Sequence, residues 1–215
     1  PVNLKAPGFT EELKKINAAL QVVVAFRMLP EIIWNMPPMG TINLHASLLP
    51  QYRGAAPINH AIMNGEKETG VTIFKLKHAI DTGNILAREK IQIGKNETAG
   101  ELYDRMKISG AKLLADTILK MEKNELLEIP QEKLTENISL KPAPKIFKKD
   151  TEINWNENAG TIFNLIRGLS PYPAAHTVLQ EKSLKIFTAG KEIIQHTEKQ
   201  GEVFTDGKTF LKYAC

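Results

Sequence analysis

The run GTINLH (40–45) places a carboxamide and an imidazole two positions apart, as Asn43 and His45. In an extended strand, residues two apart point to the same face, so these two side chains are presented together. A carboxamide can donate to an oxygen that gains negative charge, and an imidazole with an ordinary pKa of about 6.5 moves protons near neutral pH. Together they suit acyl-type transfer. A third group, Asp81 in AIDTGNIL, stands at a Gly-flanked turn, where a carboxylate could orient His45 or relay a proton through water. Taken singly, each has an ordinary structural account: hydrogen-bonded polar residues at a strand end, and Asp-Thr-Gly as a plain turn. One such triplet does not make an aspartic-protease dyad. Ser47 lies close by, but no Gly-x-Ser-x-Gly elbow surrounds it, so loop hydrogen bonding is its expected role rather than nucleophilic attack.

These groups need rigid elements to hold them. Thr10 is expected to cap a helix whose Leu13, Ile16 and Leu20 share a face, with Glu11 and Glu12 in its first turn. It leads into QVVVAF (21–26), a continuous β-branched run that reads as a strand buried on both faces of a parallel sheet. In the next strand Ile42 and Leu44 alternate with Asn43 and His45. Pro57 and Gly65 bracket a short helix, 57–64. TGVTIFKL (69–76) and ILAREKIQI (85–93) are strands on either side of the Asp81 turn. Thr98 and Glu101 form a capping box that opens a long helix carrying Leu102, Met106, Leu113, Leu114, Ile118 and Met121 on its core side. Alternating helices and strands predict an α/β fold with a mostly parallel sheet. In such sheets the carboxyl ends of the strands open onto the ligand crevice, where Asn43 and His45 fall.

Beyond Asn124 the pattern changes. Residues 1–124 form the first domain, and the aperiodic stretch 125–149, rich in Pro and Lys, reads as a linker. Residues 150–215 form a smaller, mostly β unit with one helix at 157–167 and β runs near 184–188, 191–194, 202–204 and 209–213. The stretch KPAPKIFKKD (141–150) sets Lys141, Lys145, Lys148 and Lys149 against Asp150 alone and could touch phosphates. The chain starts at Pro1 and stops inside a strand-like run, which reads as an internal piece of a longer protein.

Composition excludes several classes. With 42% apolar and 24% charged residues the chain is globular rather than disordered. Lys and Arg exceed Asp and Glu by only 28 to 24, so net charge by itself names no partner. No apolar run reaches the roughly 18 residues of a membrane span, and the lone Cys215 leaves no disulfide framework, which makes the cytoplasm the expected setting. The five histidines show no paired ligand spacing, so no metal is expected.

The loop SLLPQYRGAAP (47–57) adds specificity. Pro50 and Gly54 force a loop, Leu48 and Leu49 give an apolar wall, and Arg53 adds a cation directly after the Asn-His pair. The whole run INLHASLLPQYRGAAPINHAIMNGEKETGVTIFKLKHAIDTGNIL (42–86) resembles the core of the formyltetrahydrofolate-dependent transferases. APKIFKKDTEINWNENAGTIFNLIRGLSPYP (143–173) is similar to the start of a C-terminal domain in the same family. The resemblance implies a partial Rossmann-like formyltransferase domain lacking its opening segment, followed by an incomplete OB-like β-barrel that helps hold tRNA. It implies Asn43, His45 and Asp81 as the catalytic trio, and Ser47, Leu48, Leu49 and Pro50 as a folate-contacting loop. Phe26, Arg27, Met28 and Leu29 correspond to the part around the pteridine ring. His60 and Asn84 depart from the residues expected at those positions, Trp and Asp.

RGAAPI and ETGVTI resemble one branch of that family, and the resemblance implies formylation of initiator methionyl-tRNA by 10-formyltetrahydrofolate, with a monomer as the expected state of the full-length protein. Two alternatives are the same chemistry on a small amine and a non-catalytic RNA-binding relative.

Overall fold

A proline at the first helical position begins α1 (Pro7–Ile16), because its missing N–H and fixed φ suit that site. Thr10 lies inside this helix rather than at its cap, and its hydroxyl donates to the Pro7 carbonyl at 2.9 Å. Asn17, with φ 48°, ends the helix before Leu20. The computed structural model describes Leu4, residues 6–136 and residues 138–215. Within them the chain divides into two units. The first comprises 1–57, 69–92 and 105–144, and the second 58–68, 93–104 and 145–215.

The first unit is built on β1 (Gln21–Val24), β2 (Thr41–His45), β3 (Glu68–Lys75) and β4 (Ile85–Gln92), in that spatial order, with α2 (Glu31–Trp34) between the first two. β1 pairs parallel with β2, Val23 beside Asn43, whereas β2 pairs antiparallel with β3, so the sheet is mixed. The first strand is less covered than its apolar run suggests: Val22 and Val24 are 39% and 52% exposed.

Ile42, Leu44, Ile73 and Leu86 form the core of one sheet face with Leu113, Leu114, Ile118 and Met121. Those four belong to the helix α4 (Ala99–Glu122). The other face carries Phe74, packed with Leu49 and Ile85. Residues directly opposite in an antiparallel pair share a face, so the partnerships Asn43–Phe74 and His45–Thr72 put all four side chains on this second side. One strand thus supplies core from its even positions and chemistry from its odd ones.

The second unit takes most of α3 (Pro57–Met63), the opening of α4, and α5 (Ala159–Leu169), capped by Asn158 accepting from the Thr161 N–H. The Thr98–Glu101 capping box is present in both directions. Ile153, Ile162, Ile166, Leu169 and Ala175 form this unit's core. Its β structure consists of two hairpins, β5 (Ala175–Leu179) with β6 (Lys182–Ile186) and β7 (Val203–Thr205) with β8 (Leu211–Tyr213). These are separate two-stranded sheets among the described residues, and no closed barrel is formed by them. The run 191–194, expected to be β, is irregular. β5 was not evident in the sequence because the β5–β6 turn uses Gln180 and Glu181, both at positive φ, where Asn-Gly would be the usual signal.

Candidate active site

His45 ends β2, and its side chain is only 7% exposed. Its Nε2 lies 2.9 Å from the Tyr52 carbonyl, so this nitrogen carries a proton and donates to it. That bond leaves Nδ1 facing Asp81, whose Oδ2 is 3.7 Å away, too far for a direct hydrogen bond and within ion-pair distance of the ring once it is protonated. The edge of the Phe74 ring, at 6.4 Å between centroids and 83° between planes, packs on the imidazole. The structure therefore brings His45 and Asp81 together, while the Tyr52 carbonyl holds the ring.

Asn43 shares this face, is 95% buried, and its Oδ1 has no hydrogen-bond partner among the described residues. A buried polar atom left unsatisfied costs about 1–3 kcal/mol, so it calls for an explanation. A half-turn of the amide exchanges donor and acceptor, so this group can offer either to a bound molecule.

Asp81 sits at φ 53°, a left-handed conformation that Asp adopts more readily than most residues. Two residues on, Gly83 is needed because a Cβ there would collide with the Lys75 carbonyl. The Gly54 N–H donates to Asp81 Oδ2 at 2.9 Å. Gly54 itself has φ 128°, and a Cβ on it would meet the Ala143 carbonyl. The Arg-Gly step thus has a clear purpose: Tyr52 contacts His45 and Gly54 contacts Asp81, so one loop serves both.

Ser47 and Leu49 are fully buried, and Pro50 is buried after them. The Ser47 hydroxyl donates to the Gln51 carbonyl at 2.6 Å. Thr72 bridges the loop by accepting from the Leu49 N–H and donating to the Ser47 carbonyl. Arg88 caps the Leu49 carbonyl at 3.0 Å. Leu48 lies against Gly70, where a larger residue would strike it. Phe26, Arg27, Met28 and Leu29 follow β1, which runs parallel to β2, so they leave the sheet at the same end as His45; Met28 is 72% exposed.

Two contributors were missed by sequence reasoning. A carbonyl such as that of Tyr52 has no residue signature, although a loop placed directly after the Asn-His pair was a hint. Gln131 lies in a short 3-10 helix, Gln131–Leu134, within the stretch read as a linker; residues 125–144 fall in the first unit. Asn84 lies away from the carboxylate chemistry, donating to Glu128 and accepting from Lys77. Among the described residues no group of three or more His, Cys, Asp or Glu could hold a metal, and no helix is long and apolar enough to cross a membrane.

The chain belongs to the formyl transferase family, matching it over residues 1–118 and matching the formyl transferase C-terminal domain over 145–215. Within that family, the relatives it resembles are methionyl-tRNA formyltransferases. That of Porphyromonas gingivalis is 53% identical over 185 residues, covering 86% of this chain and 57% of the relative. That of Bacteroides fragilis is 46% identical over 219 residues, covering 100% of this chain and 68% of the relative. The chain thus spans between about half and two thirds of their length. Among solved structures, an N-formyltransferase from Helicobacter canadensis in complex with folinic acid and dTDP-3-aminofucose is 25% identical. Its TM-score is 0.65, covering 80% of this chain and 61% of that one. HypX from Aquifex aeolicus, in complex with tetrahydrofolic acid, shares the fold at 20% identity with a TM-score of 0.72, covering 92% and 34%.

Proposed function

We propose that this chain carries the catalytic centre of a cytoplasmic methionyl-tRNA formyltransferase, which moves the formyl group of 10-formyltetrahydrofolate to the α-amino group of initiator methionyl-tRNA. The observation that carries the reading is Asn43, a buried carboxamide with an unsatisfied oxygen on the face that also holds His45 and Asp81. Curated relatives at 53% and 46% identity supply the acceptor.

The folate co-substrate supplies an activated formyl carbon. An α-amine has a pKa of about 7.7–8.0, and esterification lowers it, so the incoming nitrogen is neutral and no enzyme nucleophile is needed. As it adds to the formyl carbon, the carbonyl electron pair moves to oxygen, and the Asn43 amide donates to that oxygen. The proton leaving the attacking nitrogen goes to Nδ1 of His45, whose other nitrogen is already committed to Tyr52. The imidazolium so formed faces Asp81, which stabilises it until the proton passes to the departing folate nitrogen as the carbon–nitrogen bond breaks. Charge separation near the oxyanion is thereby kept small.

The 47–50 loop and residues 26–29, at the same end of the sheet, form the folate side of the site. Lys145, Lys148 and Lys149, with the rest of the second unit as part of an OB-type barrel, contact the tRNA.

The test uses the full-length protein with 10-formyltetrahydrofolate and two acceptors, charged initiator tRNA and a nucleotide-linked amino sugar. Formylation of the tRNA, lost in His45→Ala while folate binding persists, is the expected result. Preference for the amino sugar would move the protein to small-amine chemistry, and near-normal turnover by His45→Ala would overturn the site.

A further inference from the structure

Gln131 is fully buried, and all of its polar capacity is directed at the Asp81 turn and its surroundings. Its Nε2 donates to the Asp81 carbonyl at 2.9 Å and to the Gly83 carbonyl at 2.8 Å. Its Oε1 accepts from Arg53 twice, from Nη2 at 2.7 Å and from Nε at 3.2 Å. Arg53 lies between Tyr52 and Gly54, which contact His45 and Asp81 respectively. One amide therefore ties the backbone of the carboxylate turn to the loop that holds both partners of the proton relay. Both donors are spent on the one turn that presents the carboxylate: one goes to the carbonyl of Asp81, held at φ 53°, and the other to that of Gly83, two residues on.

We propose that Gln131 is a positioning residue for formyl transfer, fixing Asp81 against His45 by bonding the Asp81 turn to the Arg53 loop. This rests on the catalytic reading given above. Gln131 touches no substrate, and it acts through the 3.7 Å separation between Nδ1 and Oδ2. A relay set at that distance has little tolerance, since a displacement of about 1 Å can change rates by up to about 100-fold.

The experiment is a double-mutant cycle in the full-length protein, with kcat and both KM values measured. Gln131→Leu removes every hydrogen bond at similar volume. Gln131→Glu keeps the acceptor toward Arg53 and removes the donors toward Asp81 and Gly83. Both variants are expected to lower kcat between about 10- and 100-fold, with KM for folate and tRNA within about threefold of wild type. In an Asp81→Asn background the same changes should alter kcat by less than about twofold, because the group they position is already gone.

Equal losses in both backgrounds, or normal kcat in either variant alongside an inactive Asp81→Asn, would overturn the role of Gln131 and leave the site intact. Failure of both variants to fold would likewise assign Gln131 to stability and overturn it. An Asp81→Asn protein with normal turnover would overturn the catalytic reading, and the positioning role with it.

Discussion

Replacing Asn43 by Ala should make the protein more stable and nearly inactive, two effects of opposite sign from one side chain. Among the described residues the Asn43 oxygen is buried without a partner, a burden of about 1–3 kcal/mol that disappears with the carboxamide. Against this stands the void left behind: roughly 30 Å³ at about 24 cal/mol per Å³ costs about 0.7 kcal/mol. The net expectation is a gain of about 1 kcal/mol, which raises the melting temperature by about 2–4 °C for a chain of this size. Loss of the oxyanion donor should meanwhile raise the barrier by about 2.7–4 kcal/mol, lowering kcat by two to three orders of magnitude. Chemical denaturation measures the first effect and single-turnover formyl transfer the second. Thr72→Val is the matched control on the same sheet face: it conserves volume but strands the Leu49 N–H and the Ser47 carbonyl, and should cost about 2 kcal/mol. The reasoning fails if Asn43→Ala is destabilised as Thr72→Val is, because the carboxamide would then be satisfied structure. Wild-type turnover in Asn43→Ala would refute it equally.

Ser47→Ala should keep kcat within about threefold and raise KM for folate modestly, since its hydroxyl only braces the loop through the Gln51 carbonyl; a formylated serine found by mass spectrometry would contradict this. Glu128 is held below the usual carboxylate range by hydrogen bonding from Lys75, with a smaller contribution from Asn84, against the opposing effect of partial burial. A depressed folded-state pKa stabilises the fold above the unfolded value of about 4.3, and that stability is lost as pH falls through the lower folded value. Because the pair is about one third exposed, Glu128→Gln should cost only a few tenths of a kcal/mol at pH 7. That difference should shrink in acid denaturation series as pH falls from about 4.3 through the depressed folded-state value and be gone below it, and a gap that widened there would contradict the assignment.

What the sequence made legible was local. The Thr98–Glu101 box spans one helical turn, and both of its residue types are chosen for that bond, so the start of α4 could be read directly. The split of β2 into Ile42 and Leu44 on one side, Asn43 and His45 on the other, follows from a period of two. Thr10 misled because Ser and Thr signal caps, yet Pro7 three residues earlier gives the better start and Thr10 bonds back to it. The β5–β6 hairpin was hidden because Gln180 and Glu181 adopt backbone conformations that their types do not advertise. Gln131 was hidden for a different reason: an aperiodic segment carries no pattern, and what it contacts is backbone.

The aperiodic segment therefore has a mechanical part in the first unit. The Tyr52 N–H donates to the Lys141 carbonyl at 2.7 Å and the Ala143 N–H to the Arg53 carbonyl at 2.8 Å, so residues 141–143 run alongside the loop that orients His45 and Asp81. Gln131 grips that loop from within the same stretch. A strand can fix two side chains two residues apart without help, but a carboxylate from a distant turn must be brought to them by other parts of the chain. Here the help comes from a segment whose only regular element among the described residues is one short 3-10 helix, held by the Gln131 side chain and by backbone bonds whose partners the side-chain types do not reveal. Substitutions across 131–143 that spare those bonds should be tolerated whatever their composition, whereas Gly54→Ala, which drives a Cβ into the Ala143 carbonyl, cannot preserve them.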